Sequence, residues 1–257
     1  MPERSAIHPA ARAGFAAGAE IYQRSRPDYP AAALEWLARE LALGAGPVLD
    51  VAAGTGKLTR QLRPLAPHLV AVEPVAAMRR VLSAALPGVS VVGGRAEALP
   101  FRSAWAGAAL AGQAFHWFDG RAALEELHRV LWPGGGLGLL WNHRDESVDW
   151  MRRLTEIVEP VAGDAPRFRS GRWREAFAAQ DLFGPLQEAT FDHAQTGSPE
   201  LVVERVASIS FVAALDESRR ESLLDEVRRL LATHPDTCGQ GAIRLPYRTL
   251  ACWARRR

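Results

Sequence analysis

Between residues 31 and 141, short apolar runs alternate with stretches of helical spacing, and this alternation most constrains what the chain can fold into. The runs are Val48-Leu-Asp-Val-Ala52, Leu69-Val-Ala-Val-Glu73, Val89-Ser-Val-Val92, Gly107-Ala-Ala-Leu-Ala111 and Gly136-Leu-Gly-Leu-Leu-Trp141. Each has the length and apolarity of a strand buried on both faces. Helices are predicted over 31–43, 58–65, 74–86 and 119–131, with Pro30 opening the first, Gly44 as its C-cap and Asp119 as N-cap of the last. Successive strands joined through helices pair in parallel, because each parallel step needs a crossover, and the crossovers cover both faces of the sheet. The expected class is α/β, a doubly wound sheet, with runs at 186–191 and 242–250 as further strands.

Later helices are expected at 147–158, 171–182, 199–206 and 216–231. The 257 residues are read as a single domain. Its parts are an N-terminal arm (1–30), a core that binds a cofactor (31–143), cap and packing helices (144–183 and 195–235) and last strands (186–193 and 242–252). The arm and the insertion after the fifth strand are expected to form a helical cap over the strand ends.

Charge and composition exclude several classes of partner. With 31 basic and 29 acidic residues the net charge is only +2, which does not steer a chain onto nucleic acid. Arg255-Arg256-Arg257 reads as a solvated tail. Cys238 and Cys252 have neither disulfide nor zinc spacing, so no metal is expected. No apolar leader or membrane-spanning stretch is found. The expectation is a soluble, cytoplasmic monomer or homodimer without membrane or nucleic-acid partners.

The sharpest local signal is the strand at 48–52 running through Gly54-Thr55-Gly56 into a helix. Glycines there let the backbone approach a ligand and present helix-start N–H groups to it. Glu73 ends the next strand, 17 residues after Gly56, where a carboxylate accepts hydrogen bonds from ribose hydroxyls in nucleotide-binding α/β folds. A dinucleotide fingerprint fails in both frames, since one lacks its first glycine and ends on Lys57 and the other ends on Thr59. A Walker loop fails because Leu58 follows Gly56-Lys57.

At this point the chain resembles the class I S-adenosylmethionine-dependent methyltransferases, whose first motif reads Asp-x-x-x-Gly-x-Gly, and more closely their type 11 branch. The resemblance covers nearly the whole chain. It is carried further by Gly94-Arg-Ala-Glu-Ala-Leu-Pro-Phe101, Gln113-Ala-Phe-His-Trp-Phe-Asp119 and Arg129-Val-Leu-Trp-Pro-Gly-Gly135. It implies a Rossmann-like seven-stranded sheet with helices on both faces and S-adenosyl-L-methionine as cofactor, with S-adenosyl-L-homocysteine as product. Carried over residue by residue, Asp50, Ala52, Gly54 and Gly56 would surround the methionine end and ribose, with Glu73 on the ribose hydroxyls. Pro74 and Met78 would line the adenine, Arg95, Ala96 and Glu97 would meet its edge, and Gln113 would contact the methionine portion. Arg95 stands where the family often has an acidic residue, which shifts adenine recognition to the Ala96 backbone N–H.

Methyl transfer from a sulfonium is an in-line displacement that gains most from alignment, and from a base where the nucleophile needs one. His116, after the fourth strand, and His143, at the end of the fifth, are the candidate bases. A competing reading has His116 capping or hydrogen-bonding the following helix, with Phe115 and Trp117 as core. Tyr22, Arg26 and Tyr29 on the arm are site-closing candidates, Arg26 by pairing with a carboxylate of cofactor or substrate. Trp117, Asn142 and Trp150 are candidate contacts for the acceptor, and Trp173 is a further aromatic in the predicted cap. The arm is expected to become ordered over bound cofactor. The function expected is methylation of an O, N or C nucleophile of a small molecule. The alternatives are a cyclisation or rearrangement enzyme on the same scaffold, or a non-catalytic cofactor-binding protein.

Overall fold

The structure, a computed structural model, describes residues 25–178 and 180–257. They fall into two compact units. The first comprises residues 29–142, 166–191 and 249–257; the second comprises 25–28, 143–165 and 192–248.

The first unit is built on a seven-stranded sheet ordered β3-β2-β1-β4-β5-β7-β6. The strands are β1 (Val48–Val51), β2 (Leu69–Val72), β3 (Ser90–Val92), β4 (Ala106–Gly112), β5 (Leu131–Arg144), β6 (Gln187–Gly197) and β7 (Ile243–Arg255). β1 pairs in parallel with both β2 and β4, β2 with β3, and β4 with β5. Side chains alternate between two apolar layers, as the period of a strand demands. Leu49, Val51, Ala109, Ala111, Leu137 and Leu139 enter one layer with α4 (Gly120–Val130), which supplies Ala123, Leu124 and Leu127. Val48, Ala108, Leu110 and Leu140 enter the other with α1 (Ala31–Leu41) and α2 (Lys57–Leu62). α3 (Ala76–Ala85) packs Leu82 against Ala53 and Ala71. The sequence expectation of a doubly wound sheet with helices on both faces is met.

The helix stops differ in detail. Ala42, and not Gly44, takes the left-handed C-cap conformation of α1, with φ +51°. The helix expected over 171–182 reduces to a 3-10 turn, Arg172–Arg174, and one short α-helix, α6 (Glu175–Ala178). Gly171 at φ +70° breaks the chain direction before it, and the turns that follow place aromatic rings on the sheet. Trp173 lies 4.3 Å from Trp141 between centroids, and Phe177 lies 5.2 Å from Phe115. Tertiary aromatic packing therefore outweighs helix propensity there.

The second unit is helical around its own core: α5 (Asp149–Val158), α7 (Pro199–Ala207), α8 (Ser210–Ala213) and α9 (Glu217–Thr233). Met151, Leu154, Val202, Val206, Leu224 and Val227 fill that core. Two N-caps behave as their residue types predict: Ser198 accepts from Leu201 N, and Asp216 from Arg219 N. Among the described residues no helix is long and apolar enough to cross a membrane, and no cluster of His, Cys, Asp or Glu could hold a metal.

Candidate functional site

The chain order reverses between β1 and β4: β2 and β3 lie beyond β1, while β5 lies beyond β4. In open parallel sheets ligands bind at such a switch point, outside the carboxyl ends of the strands. Two non-glycine residues with positive φ occur at those ends, Ala52 after β1 (φ +58°) and Gln113 after β4 (φ +56°). Each costs about 1–3 kcal/mol and persists because its surroundings hold it. Gln113 is held by its own N–H, which donates to Leu140 O at 2.8 Å, and by Nε2, which donates to Asn142 O at 2.9 Å. Asn142 is in turn fixed by the Thr249 hydroxyl, which donates to Oδ1 at 2.6 Å.

The β1 loop turns through Gly54 (φ +60°) and Gly56 (φ +90°), and Gly56 is the left-handed N-cap of α2. A side chain at Gly56 would meet Leu82 at 3.0 Å, so the glycine there is required by both conformation and space. Glu73 ties this loop to the one after β2. Its Oε2 accepts from Gly54 N at 2.9 Å and its Oε1 from Val75 N at 2.7 Å, while Arg79 donates to the carbonyls of Glu73 and Pro74. The carboxylate is 4% exposed, and burial raises its pKa against the pull of those two N–H groups. Met78 stands close by, its Sδ 3.9 Å from where a methyl on Gly54 would be.

Beneath the loop, Asp50 is 1% exposed and accepts from the Thr59 hydroxyl at 2.5 Å. Burial pushes its carboxyl up to about 7, opposed by Thr59 and reinforced by the Glu73 charge. The sequence reading placed Asp50 around the ligand; the structure gives its carboxylate a buried partner within α2. Thr55, at the turn itself, is buried, and its Oγ1 has no hydrogen-bond partner among the described residues.

After β3, Arg95 and Glu97 form an ion pair at 3.3 Å, and Glu97 Oε1 accepts from Asp119 N at 3.0 Å, joining this loop to the start of α4. Ala96 between them is buried. Tyr29 is buried over the tip of β4, where a methyl on Gly112 would lie 2.5 Å from its hydroxyl. Gln61 locks the Tyr29 backbone, accepting from its N–H at 2.9 Å and donating to its carbonyl at 2.8 Å.

His116 lies in the 3-10 turn Phe115–Trp117, and its Nδ1 accepts from Trp141 Nε1 at 3.1 Å. An indole N–H can only donate, so Nδ1 must keep its lone pair and the neutral ring carries its proton on Nε2. In this arrangement the lone pair of His116 accepts from Trp141. Trp117 is half-buried, with its ring 5.3 Å from that of His116.

Four other sequence candidates have these surroundings. His143 is in the second unit, and burial first, then the Arg248 charge, lowers its pKa, so it is neutral at pH 7. Trp150 is 2% exposed and packs in the helical core of that unit. Trp173 packs likewise in the first unit, on Trp141. The Arg26 guanidinium donates to Ser208 O at 2.9 Å, a contact inside the second unit. Tyr22 lies outside the described residues, as does most of the arm. Thr59, Gln61, Trp141 and Thr249, which hold the site residues in place, were missed by sequence reasoning. Only Thr59 left a signal, one turn into the helix that follows the glycines.

The model of a family described as "Methyltransferase domain" matches residues 49–139. An uncharacterized methyltransferase of Mycobacterium tuberculosis is 39% identical over 241 residues, 92% of each chain. An uncharacterized methyltransferase-like protein of Schizosaccharomyces pombe is 33% identical over 234 residues, 90% of each chain. Among solved structures, a putative type II methyltransferase from Anaeromyxobacter dehalogenans superposes with a TM-score of 0.65 at 25% identity, covering 90% of this chain and 96% of that one. With the Asp50-to-Gly56 loop, the switch-point geometry and this breadth of likeness, the chain belongs to the class I S-adenosylmethionine-dependent methyltransferases, type 11 branch, and is a methyltransferase enzyme.

Proposed function

We propose that this enzyme binds S-adenosyl-L-methionine at the carboxyl ends of β1, β2 and β4 and methylates an O, N or C nucleophile of a small molecule. The observation that carries the reading is the junction of Gly54 and Glu73: a glycine turn whose backbone is held open by a buried carboxylate. The buried, unpartnered Thr55 hydroxyl beside it suits a polar ligand at the turn. The cofactor, when bound, supplies an electrophilic methyl group on its sulfonium. Glu73 keeps lone pairs beyond those its two N–H donors use, and these accept from ribose hydroxyls. Pro74 and Met78 line the adenine, the Ala96 backbone meets its edge, and Gln113, held at positive φ, faces the methionine portion with Ala52 and Gly56. Arg95 serves Glu97 and not the ligand. Asp50 supports the loop from below.

On the reacting side the chain's contribution is alignment and exclusion of water. His116, fixed by Trp141 with its proton on Nε2, orients an acceptor as a hydrogen-bond donor. Trp117, Asn142 and Tyr29 shape the same side.

Calorimetry with S-adenosylhomocysteine tests the proposal. Glu73→Ala is expected to weaken binding by about 2 kcal/mol through loss of charge-assisted hydrogen bonds. Unchanged affinity removes Glu73 from the site, and tight binding of NAD without any adenosyl ligand removes the cofactor assignment.

A further inference from the structure

Within the second unit, two half-buried arginines act on each other by charge, and one of them keeps buried guanidinium nitrogens without the partners that burial ordinarily requires. Arg205 lies in the last turn of α7, and its Nε and Nη1 are buried with no hydrogen-bond partner among the described residues. Arg144, at the end of β5, makes one hydrogen bond there, a long 3.4 Å contact from Nη1 to the Thr155 hydroxyl. The two cations act on each other: burial and then the charge of Arg205 bring Arg144 down to about 10. Tyr247, Glu159 and Glu146 offset this more weakly. The C-terminal carbonyls of α7 favour a cation at Arg205 but do not bond the two orphaned nitrogens. Two like charges held close to each other gain from a further negative group placed between them. The planar fork of each guanidinium matches the paired oxygens of a carboxylate or phosphate.

We propose that Arg205 and Arg144 form a binding site for an oxyanion, the carboxylate or phosphate group of a small molecule. The site is independent of the glycine-loop assignment, since every residue in it belongs to the helical unit.

Thermal unfolding and calorimetry of the full chain test it, with inorganic phosphate, succinate, and sodium chloride at matched ionic strength. Phosphate or succinate is expected to raise the Tm more than chloride does, since a ligand that binds only the folded state stabilises it. Whichever acts more strongly tells phosphate from carboxylate. Arg205→Gln is expected to abolish that shift and to weaken the calorimetric affinity on the order of tenfold or more. Without anion, Arg205→Gln should unfold at the same Tm or higher, because a repulsion has been relieved. A purely structural arginine would instead lower the Tm when replaced. The proposal is overturned if chloride reproduces the wild-type shift, if neither oxyanion shifts it, or if Arg205→Gln retains the full response.

Discussion

Replacing Asp50 with Asn removes a titrating group from beneath the glycine loop, and the effect can be worked from its surroundings. The carboxyl is 1% exposed and is raised from 3.8 to about 7, chiefly by burial. The folded state therefore holds a proton that the unfolded chain releases near pH 4. Stability from that proton is complete below pH 4, declines as the pH rises, and is gone above about 7. At about 1.4 kcal/mol per pH unit, ionising the buried group costs on the order of 4 kcal/mol in all, of which about 3 kcal/mol falls between pH 5 and pH 8. Asn has no such slope and is close to the same size. Urea unfolding followed by circular dichroism at pH 5, 6, 7 and 8 should show wild type losing about 3 kcal/mol relative to Asp50→Asn across that window. The other titrating groups are common to both proteins and cancel in the difference. Parallel pH profiles would refute the reasoning and show that Asp50 stays ionised in the fold.

Three further outcomes are expected. Gly112→Ala places a methyl 2.5 Å from the buried Tyr29 hydroxyl and should cost about 1–3 kcal/mol in urea unfolding; the same change made in a Tyr29→Ala background should cost much less. Trp141→Phe removes the donor to His116 Nδ1, so long-range proton–nitrogen NMR correlations should change from a single Nε2–H tautomer to a mixture, and a mixture already present in wild type would contradict the assignment. Cys252 is buried and pushed up to about 12 by desolvation, whereas Cys238 is exposed, so a thiol reagent at pH 8 should label Cys238 alone until the chain is unfolded.

The Gly54-Thr55-Gly56 turn, Glu73 and the order of strands and helices around them were legible because each leaves a local mark. Glycine is needed wherever φ is positive and space is short, a parallel strand must be apolar on both faces, and a crossover must be long enough to return the chain. For the same reason the chain's membership of a methyltransferase family was readable from motifs spaced along one stretch. The roles of single side chains were not. That Trp141, 25 residues away in sequence, donates to His116 Nδ1 leaves no mark in either segment. The burial of Trp150 was not legible, because an aromatic residue in a helix looks the same whether its ring meets a ligand or a core. Nothing in the sequence marks the unpartnered nitrogens of Arg205, because their burial depends on how the helix turn packs.

By itself, then, the sequence determined what depends on neighbours along the chain: the α/β class, the glycine turn, the carboxylate at the next strand end and the family. Only the tertiary structure decided the protonation and partners of the groups involved, including the buried Asp50, the tautomer of His116 and the locked Gln113. Those depend on desolvation and on atoms brought together from distant segments, and both come into being only when the chain has folded.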